Sequence, residues 1–407
     1  MKTILLLFVG VFSSAAYAQE RCEFQNPNEL LTQIKETHPS ILEAKLRNQT
    51  QRKLTDISRQ RPNPNLDVEM LFGNSNSQFA ADTFFSLQHT IELGGKRSAR
   101  VKSAEAQIEL GELQQRNIQE EVLVDAAIRL YRLKQIEEIS TLYQEAADAF
   151  GRIQKRLGRL PSRSPEQQVE MDTLGLASRA YEFELIRKES DKAFIEKHLA
   201  YFSGCNSFVG AKVLPSIPTL PSIDDTYSDV TQSVKVLDAR QNLNVARTRL
   251  AQENTKKTPN LSVGPAIGYG RNQGSDSVLF GAAVSIPLPL LNTNKGKRAF
   301  EDANVKTATL ALKNVEREVV LDLEIWKEKY RRFYQSLQSS KGRETMEKKH
   351  RRIESLFRRG VVSTALVIEA HRQLIDFSQA QLSFELGAIE ALWNIYRLTG
   401  NLDKGTL

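Results

Sequence analysis

Two short stretches in the second half of the chain carry the clearest structural signal. Residues 261–270 read LSVGPAIGYG, and residues 278–286 read VLFGAAVSI. Bulky apolar residues alternate there with small or polar ones, and a period of two predicts β-strands with two unlike faces. The expected outward, bulky face consists of Leu261, Val263, Ile267, Tyr269, Phe280, Val284 and Ile286, and the expected small face includes Gly264, Gly268, Gly281 and Ser285.

A second pair of strands is predicted near the start of the chain, where the same alternation occurs. Its bulky positions are Leu66, Val68, Met70 and Phe72, followed by Thr83, Phe85, Leu87, His89 and Ile91. The predicted strands cover about residues 65–73 and 82–92 in this pair and about 260–271 and 277–287 in the later pair. Breaker residues such as Pro64, Gly94 and Pro287 bound them.

The two pairs belong to two copies of one structural unit. Short segments of the first copy return in the second: Ile41-Leu42-Glu43-Ala44-Lys45 as Val236-Leu237-Asp238-Ala239-Arg240, Pro64-Asn65-Leu66 as Pro259-Asn260-Leu261, Gly95-Lys96-Arg97 as Gly296-Lys297-Arg298, and Gly204 as Gly400. The period is longer than that of solenoid repeats, so it indicates the duplication of a whole unit. Each copy reads as a helix, two strands, a very long helix, a tight turn and a further helix.

Very long helices follow the strand pairs. No proline occurs between Arg97 and Leu157, and apolar residues keep three-four spacing there, so this helix should extend about 90 Å. The helix before the first strands is predicted from Asn28 to Arg59, because prolines follow it. After the turn at Leu160-Pro161-Ser162, the chain is expected to return as a helix to about Phe202.

The chain begins with a secretory signal. Lys2 precedes an apolar stretch from Ile4 to Phe12, and Ala16-Tyr17-Ala18 fits a cleavage site. We therefore divide the sequence into a signal peptide over 1–18, repeat one over 19–204, a proline-containing linker over 205–228 and repeat two over 229–407. No other segment approaches the roughly 18 uninterrupted apolar residues of a membrane helix.

Composition and cysteine content narrow the function further. The 407 residues carry a formal net charge of +7, with Lys and Arg scattered beside Glu and Asp. This pattern is typical of solvated helix faces rather than of a nucleic-acid surface, so no nucleic acid is expected as a partner. Cys22 and Cys205 are the two cysteines, and in an oxidising compartment such a pair is expected to form a disulfide. Two unpaired buried thiols, or a metal held by the two cysteines, are the alternatives.

The sequence shows no constellation that would carry out chemistry. It has no glycine-rich phosphate loop, no nucleophile elbow and no cluster of metal ligands. Its five histidines are dispersed: His38, His89, His198, His350 and His371. We therefore expect no enzyme, no catalytic residues, no cofactor and no resident metal.

The strands also constrain the assembly. Each is roughly ten residues long, the length of a tilted strand that crosses a membrane. Four strands cannot close a barrel, and an open edge in lipid would leave backbone N–H and C=O groups without partners. Several chains must therefore share one barrel, and three would supply twelve strands. The alternative is a small soluble sheet packed on the helices, although these helices are far too long to cover only four strands.

The chain resembles the outer-membrane factors of the TolC family, the exit ducts of bacterial tripartite efflux pumps and of type I secretion. The resemblance spans essentially the whole mature chain. Besides the tandem repeat, it rests on Arg61-Pro62-Asn63-Pro64-Asn65-Leu66, Ile91-Glu92-Leu93-Gly94-Gly95-Lys96-Arg97, its echo Pro287-Leu288-Pro289-Leu290 with Asn294-Lys295-Gly296-Lys297-Arg298, and Leu356-Phe357-Arg358-Arg359-Gly360-Val361-Val362-Ser363. The form Glu-Leu-Gly-Gly-Lys-Arg resembles in particular the CzcC-like branch, which is associated with heavy-metal efflux.

The resemblance implies a mostly α-helical homotrimer with a transmembrane β part. Its twelve-stranded β-barrel in the outer membrane would continue as a periplasmic α-helical coiled-coil tunnel. The far tip would dock on a periplasmic adaptor, through which an inner-membrane RND-type transporter drives efflux. On this chain the tip residues are Arg159, Leu160, Pro161, Ser162, Arg358, Arg359, Gly360, Val361, Val362 and Ser363. The resemblance also places Cys22 and Cys205 near the middle of the tunnel, where they can meet.

Two features of the tip leave its role open. Repeat one departs from the family pattern by Pro161 in the turn and by about five extra residues, which include Arg163-Ser164-Pro165. Arginines are numerous at both turns: Arg156, Arg159, Arg163, Arg358 and Arg359. They would complement the dipoles of helix C-termini, or they would form a cationic ring that closes the aperture or meets the adaptor.

Three functions follow from the sequence. The leading hypothesis is a passive outer-membrane exit duct of a tripartite efflux pump that exports heavy-metal cations or small toxic compounds. The second is the outer-membrane duct of a type I protein secretion system. The third, from another class, is a periplasmic coiled-coil adaptor or scaffold without a membrane barrel.

Overall fold

The computed structural model describes residue 24 and residues 26–75, 78–205, 220, 221, 223, 228–272, 275–339, 343–359, 361–402 and 405. The predicted signal peptide, Cys22, Gly360 and most of the predicted linker lie outside these residues. No helix in the described part of the chain has the length and hydropathy needed to cross a membrane.

The described chain is mostly helical and contains one sheet. Its helices are α1 Pro27–Thr37, α2 Pro39–Arg59, α3 Lys96–Gly158, α4 Pro165–Ser203, α5 Val234–Thr255, α6 Lys295–Ser339, α7 Arg343–Arg358 and α8 Thr364–Leu398. Its strands are β1 Asn65–Ser75, β2 Gln78–Ile91, β3 Leu261–Asn272 and β4 Ser275–Ser285. After α1, each half contains a helix, a hairpin and then long helices; two helices follow the hairpin in the first half, and three described helices follow it in the second.

The helix predicted from Asn28 to Arg59 is wrong in one respect, because the structure divides it into α1 and α2. Pro39 lacks a backbone N–H and cannot continue the preceding helix, and it forces His38 into an extended conformation with ψ 126°. His38 then serves as the N-cap of α2, where its Nδ1 accepts a hydrogen bond from the backbone N–H of Ser40 at 3.2 Å.

The four strands form one antiparallel sheet in the order β1-β2-β3-β4. The hairpins of the two repeats are therefore joined through β2 and β3, while β1 and β4 are the edges. In the central row Val68 lies opposite Phe85, Phe85 opposite Ile267, and Ile267 opposite Phe280. This register collects the bulky alternating residues of all four strands on one face.

The long helices pack beside one another as a layer. Near the sheet α2 packs on α3, α3 on α5, and α5 on α6. Farther away α4 packs on α3, α3 on α8, and α8 on α6 and α7. The largest apolar core joins α1, α3, α4 and α8 through residues such as Leu30, Leu130, Leu199 and Trp393, and a second core joins α5, α6 and α8 through Val236, Tyr330 and Ile395.

Candidate functional surfaces

One face of the sheet is apolar and uncovered within the chain. Along the central row the exposed fraction is 48% for Val68, 43% for Phe85, 44% for Ile267 and 81% for Phe280. No helix packs on this face among the element contacts of the described chain. A contiguous apolar surface of this kind is costly in water, so it marks contact with lipid or with another apolar partner.

The opposite face of the sheet consists mostly of small or polar residues, although Leu71, Phe84 and Leu279 also lie on it. The register places on it the predicted residues Gly264, Gly268, Gly281 and Ser285. Asp67, Glu69 and Asp82 share this face, and the described strand residues on it include no Lys or Arg. The side-chain amide of Gln88 donates to Asp67 Oδ2 at 3.0 Å. This face therefore suits water and, through its carboxylates, cations.

The sheet is tied to the helices at a junction that comprises residues 58–64, 92–100, 253–260 and 286–298. Arg100 of α3 joins two other segments of this junction. Its guanidinium donates to Glu92, just after β2, at 2.7 Å and to the carbonyl of Ser58, at the end of α2, at 3.0 Å. Lys96 donates to the side chain of Asn260. The hydrogen bond from Arg100 holds the pKa of Glu92 below its ordinary value, so Glu92 stays ionised and the clamp persists.

The turns into the long helices use different residues in the two repeats. Gly94 and Gly95 take left-handed φ values of 71° and 73° before α3, and a Cβ on Gly94 would lie 2.8 Å from Thr258. In repeat two the left-handed residue is Asn294, with φ 58°, whose amide donates to the carbonyl of Glu253 at 3.0 Å. Gly296 lies inside the first turn of α6, so the structural counterpart of Gly95 is Asn294.

The first predicted tip turn joins α3 to α4. Arg159 caps the C-terminus of α3, Leu160 is 37% exposed, and Pro161 and Ser162 complete the turn. Ser164 then starts α4 with a capping box, in which Ser164 and Gln167 bond to each other's backbone N–H. The extra residues that distinguish this turn from its counterpart thus have a local role as a helix start.

The second predicted tip turn joins α7 to α8. Val361 is 66% exposed, whereas Val362 is partly buried and packs on an apolar cluster formed by α3, α4, α7 and α8. Ser363 is the N-cap of α8 and accepts from the N–H of Leu366 at 3.4 Å. Gly360 lies outside the described residues, as does the side chain of Arg358.

Both turns lie at the same end of the molecule. Leu157 from α3, Leu174 from α4 and Phe357 from α7 meet in the apolar cluster beneath them. The guanidinium of Arg156 stacks on the ring of Phe357 at 5.3 Å, and Arg163 donates to Met171 Sδ at 3.0 Å. Arg156 and Arg163 therefore have contacts within the chain, although both are exposed, as are Arg159 and Arg359.

Two helices carry apolar stripes that the chain itself leaves uncovered. On α4 the stripe consists of Val169, Leu176, Phe183, Ile186, Phe194 and Tyr201, each at least 60% exposed. On α6 it consists of Phe300, Leu310, Leu321 and Ile325, each at least 55% exposed. Steps of seven between Val169, Leu176 and Phe183 are typical of a coiled-coil seam. This stripe was not predicted from the sequence, although its heptad spacing is visible there.

Cys205 is buried and disulfide-bonded. It follows the end of α4 and belongs to the large core of α1, α3, α4 and α8. Cys22, its predicted partner, lies outside the described residues, so the pairing stays a prediction.

A buried carboxylate on α3 was not predicted from the sequence. Glu120 is 5% exposed; its Oε1 accepts from Arg116 at 3.0 Å, while Oε2 is buried without a hydrogen-bond partner. Burial raises the pKa of Glu120, although Arg116 opposes the shift. A cavity of about 40 Å³ beside it is lined in part by Lys235, Asp322 and Arg397. Nothing in the helical spacing marks this glutamate as buried.

The histidines are dispersed in the structure. His371 is buried on α8 and meets the ring of Phe150 edge-on at 5.2 Å. His198 and His38 each contact the ring of Phe202, and His89 lies on the bulky face of the sheet; the side chain of His350 lies outside what the structure describes. Within the described residues no group of three or more His, Cys, Asp or Glu side chains could hold a metal ion.

This fold is similar to that of solved outer-membrane channel proteins. The chain superposes on the outer-membrane channel OprN with a TM-score of 0.73 over 95% of this chain and 94% of OprN, at 13% identity. It superposes on the open state of the outer-membrane channel MtrE of Neisseria gonorrhoeae with a TM-score of 0.72 over 93% and 90% of the two chains, at 14% identity. These structures show the fold, and the resemblance predicted from the sequence is confirmed.

A particular relative is found by sequence. The chain is 22% identical over 236 residues to the cobalt-zinc-cadmium resistance protein CzcC of Cupriavidus metallidurans. The match covers 57% of this chain and 56% of CzcC, so the chain spans about half the length of the curated relative that it matches. No family model matches the chain.

Proposed function

We propose that the chain is a passive exit duct in the outer membrane, part of a tripartite efflux pump, and not an enzyme. The observation that carries this proposal is the uncovered apolar face of the sheet. A strand pair in each repeat contributes to that face, and the opposite face of the sheet is mostly small or polar. A soluble sheet would bury its bulky face on the helices, whereas a membrane barrel turns it to lipid.

The duct is assembled from three copies of the chain. The strands β1 and β4 each have one unpaired edge in a single copy, and an unpaired edge is not tolerated in lipid. Pairing β1 of one copy with β4 of the next closes a twelve-stranded barrel. The same arrangement allows the stripe on α4 and the stripe on α6 to be covered by neighbouring copies, which continues the barrel as a helical tunnel.

The cargo is a heavy-metal cation or a small toxic compound. CzcC, the relative found by sequence, is named for cobalt, zinc and cadmium resistance. The carboxylates Asp67, Glu69 and Asp82 on the small face of the sheet agree with the passage of cations. A type I secretion duct would share the fold, but neither observation favours it, and a scaffold without a barrel would leave the bare sheet face unexplained.

The end of the molecule opposite the sheet docks on a periplasmic adaptor, which connects the duct to an inner-membrane RND-type transporter. The two turns are short breaks between long helices and lie side by side. Leu160 and Val361 are exposed there, and exposed apolar side chains at an extremity favour burial in a partner. Arg159 and Arg359 add a basic rim that suits an acidic contact.

Membrane extraction and efflux test the proposal together. The protein should resist salt washing and require detergent for extraction, because its sheet lies in the membrane. A strain that lacks the gene should become sensitive to a divalent metal such as zinc, cobalt or cadmium, and the intact gene should restore resistance. Release of the protein by salt alone would exclude the barrel, and unchanged sensitivity to metals would exclude the cation cargo.

The docking end is tested with Val361→Glu. Val361 is exposed, so the charge should leave folding, trimer formation and membrane insertion unchanged while efflux falls. Val362 is less suitable for this test, because it packs on the cluster beneath the turns. Normal efflux by Val361→Glu, with adaptor cross-links that map to another surface, would show that docking occurs elsewhere.

A further inference from the structure

The segment between β4 and α6 exposes three leucines that nothing in the described chain covers. Leu288 is 72% exposed, Leu290 is 79% exposed and Leu291 is 102% exposed. Pro287 and Pro289 alternate with them and keep the segment out of the sheet and the helix. The backbone N–H of Leu290 donates to the carbonyl of Leu288 at 2.9 Å, which fixes a tight turn at this point.

The position of the segment relates it to the membrane. It leaves β4 at the end of the sheet that faces the helices, next to the junction contact between Asn294 and Glu253. In sequence, Ile286, Leu288 and Leu290 continue the spacing of the outward residues Phe280 and Val284. The leucines therefore follow the outward residues of β4 directly in sequence, at the end of the sheet that faces the helices.

The junction around these leucines is strongly basic. Its two acidic residues are already engaged, Glu92 by Arg100 at 2.7 Å and Glu253 by Lys256 at 2.5 Å. Several further cations of the junction are exposed: Arg61, Arg97, Lys257, Lys295 and Lys297. An apolar segment beside a band of Lys and Arg is typical of proteins that lie in the interface of a phospholipid bilayer.

We propose that residues 286–298 form an interfacial anchor that binds the phospholipid leaflet on the helical side of the membrane. Leu288, Leu290 and Leu291 enter the boundary between headgroups and acyl chains, roughly 5–10 Å deep. Lys295 and Lys297 contact lipid phosphates. The inference rests on the proposed function, because it requires the sheet to lie in the membrane.

Lipid fits this surface better than a second copy of the chain. Closure of the barrel requires the backbone edge of β4, which ends at Ser285, and the leucines lie beyond it. A contact between copies would give no role to the band of cations, whereas phosphates complement it. The corresponding segment of repeat one, Glu92 to Gly95, is shorter and exposes Leu93 only to 39%, so the anchor belongs to repeat two.

The experiment places single tryptophans in the full-length protein and reconstitutes it in phosphatidylcholine–phosphatidylglycerol vesicles, with and without bromine on the acyl chains. Leu290→Trp tests the anchor, with Leu291→Trp as a second variant. Phe280→Trp reports whether the sheet is inserted, and Val361→Trp is the control at the opposite end. The native Trp326 and Trp393 lie on α6 and α8, and at the usual helical rise Trp326 is roughly 45 Å along α6 from its start.

We expect brominated lipid to reduce the added emission of Leu290→Trp, because its side chain would lie at the depth of an interfacial anchor, and to leave the emission of Val361→Trp unchanged. If Phe280→Trp is quenched but Leu290→Trp and Leu291→Trp are not, the anchor is excluded and the barrel stands. Blue-shifted but unquenched emission of Leu290→Trp would show that the side chain is buried away from lipid. That result would exclude the anchor and assign the surface to a neighbouring copy. If Phe280→Trp is not quenched either, the proposed function itself fails.

Discussion

Three residues with left-handed backbones set the angle between the sheet and the long helices. Gly94 and Gly95 do so in repeat one, and Asn294 does so in repeat two. Asparagine tolerates this conformation better than other side-chain-bearing residues, and its amide also bonds to Glu253. The two repeats thus reach the same turn with different chemistry, which is why matching glycines in the sequence did not locate the equivalent position.

Glu120 stands out among the buried residues because one carboxylate oxygen has no hydrogen-bond partner. Burial raises its pKa, so the folded chain retains the proton at pH values where the unfolded chain has lost it. This contribution to stability is fully present below the ordinary carboxyl pKa and is lost as pH rises through the folded value. At neutral pH the ionised side chain therefore costs stability.

Glu120→Gln should increase the free energy of unfolding by about 1 kcal/mol at pH 7, because it removes a poorly solvated charge. The gain should disappear below about pH 4, where the native carboxyl is also neutral. Thermal unfolding of the detergent-purified protein across this pH range measures the effect. The adjacent Glu121→Gln is the matched control, since Glu121 is exposed and paired with Arg397. A gain at Glu120→Gln that is equal at both pH values would contradict the explanation.

At the scale of the elements, the two faces of the sheet differ in the environment that we predict for them, lipid on one side and the lumen on the other. Phe280 and Gly281 are neighbours in the middle of β4 and face opposite sides. Phe280→Arg should impair insertion by about 2–4 kcal/mol, as expected for arginine facing lipid near the bilayer midplane. Gly281→Arg should insert normally, because a side chain there meets open space. The fraction of protein recovered in the outer membrane is the readout, and equal losses at both positions would refute the assignment of the faces.

The stripe on α4 gives a prediction for assembly. Phe183 is 70% exposed in a single chain, so Phe183→Glu should leave the fold intact. It should weaken the association of copies by about 2–3 kcal/mol if the side chain becomes buried between them. Thr173→Glu, exposed beside the stripe on the same helix, is the control. Trimer dissociation in detergent measures both, and indistinguishable variants would show that α4 is not at the interface.

The sequence predicted those elements whose signal is local and repeated. Alternation along Leu261 to Ile267 located a strand, and the absence of proline after Arg97 located a helix of 63 residues. Signals that depend on partners distant in sequence were missed. Pairing of β2 with β3 and burial of Glu120 arise only when separate segments meet. At the tip, spacing identified the turns but could not show that Val362 packs inward while Val361 does not.

At the scale of the whole molecule, the length of the helices determines how far the sheet lies from the tip turns. At 1.5 Å per residue, α3 spans about 95 Å, so the sheet and the tip turns are far apart. The bare apolar face lies at one end, the exposed turns lie at the other, and the large core lies between them. In the proposed duct, this separation would let one chain contact lipid and a periplasmic partner at the same time.

The predicted disulfide between Cys22 and Cys205 would fasten the middle of this long structure. Cys205 follows α4 and lies in the core that also contains Leu30 of α1. We predict that peptide mapping without reductant will recover Cys22 linked to Cys205. Replacing both with serine should lower stability by about 2–5 kcal/mol and leave efflux rates at moderate temperature nearly unchanged. Recovery of two free thiols would exclude the bond.

Closure of the barrel by three chains is tested most directly by cross-linking the sheet edges. Within one chain β1 and β4 are three strand spacings apart, about 14 Å, which is too far for a disulfide. Met70→Cys is combined in turn with Val278→Cys, Phe280→Cys or Ala282→Cys, and the membranes are oxidised. Only one of these three pairs should lie in register across the interface between copies. For that pair we predict covalent trimers and no larger species on a non-reducing gel. Chains that stay monomeric in every register, or ladders that extend beyond three chains, would contradict the shared twelve-stranded barrel.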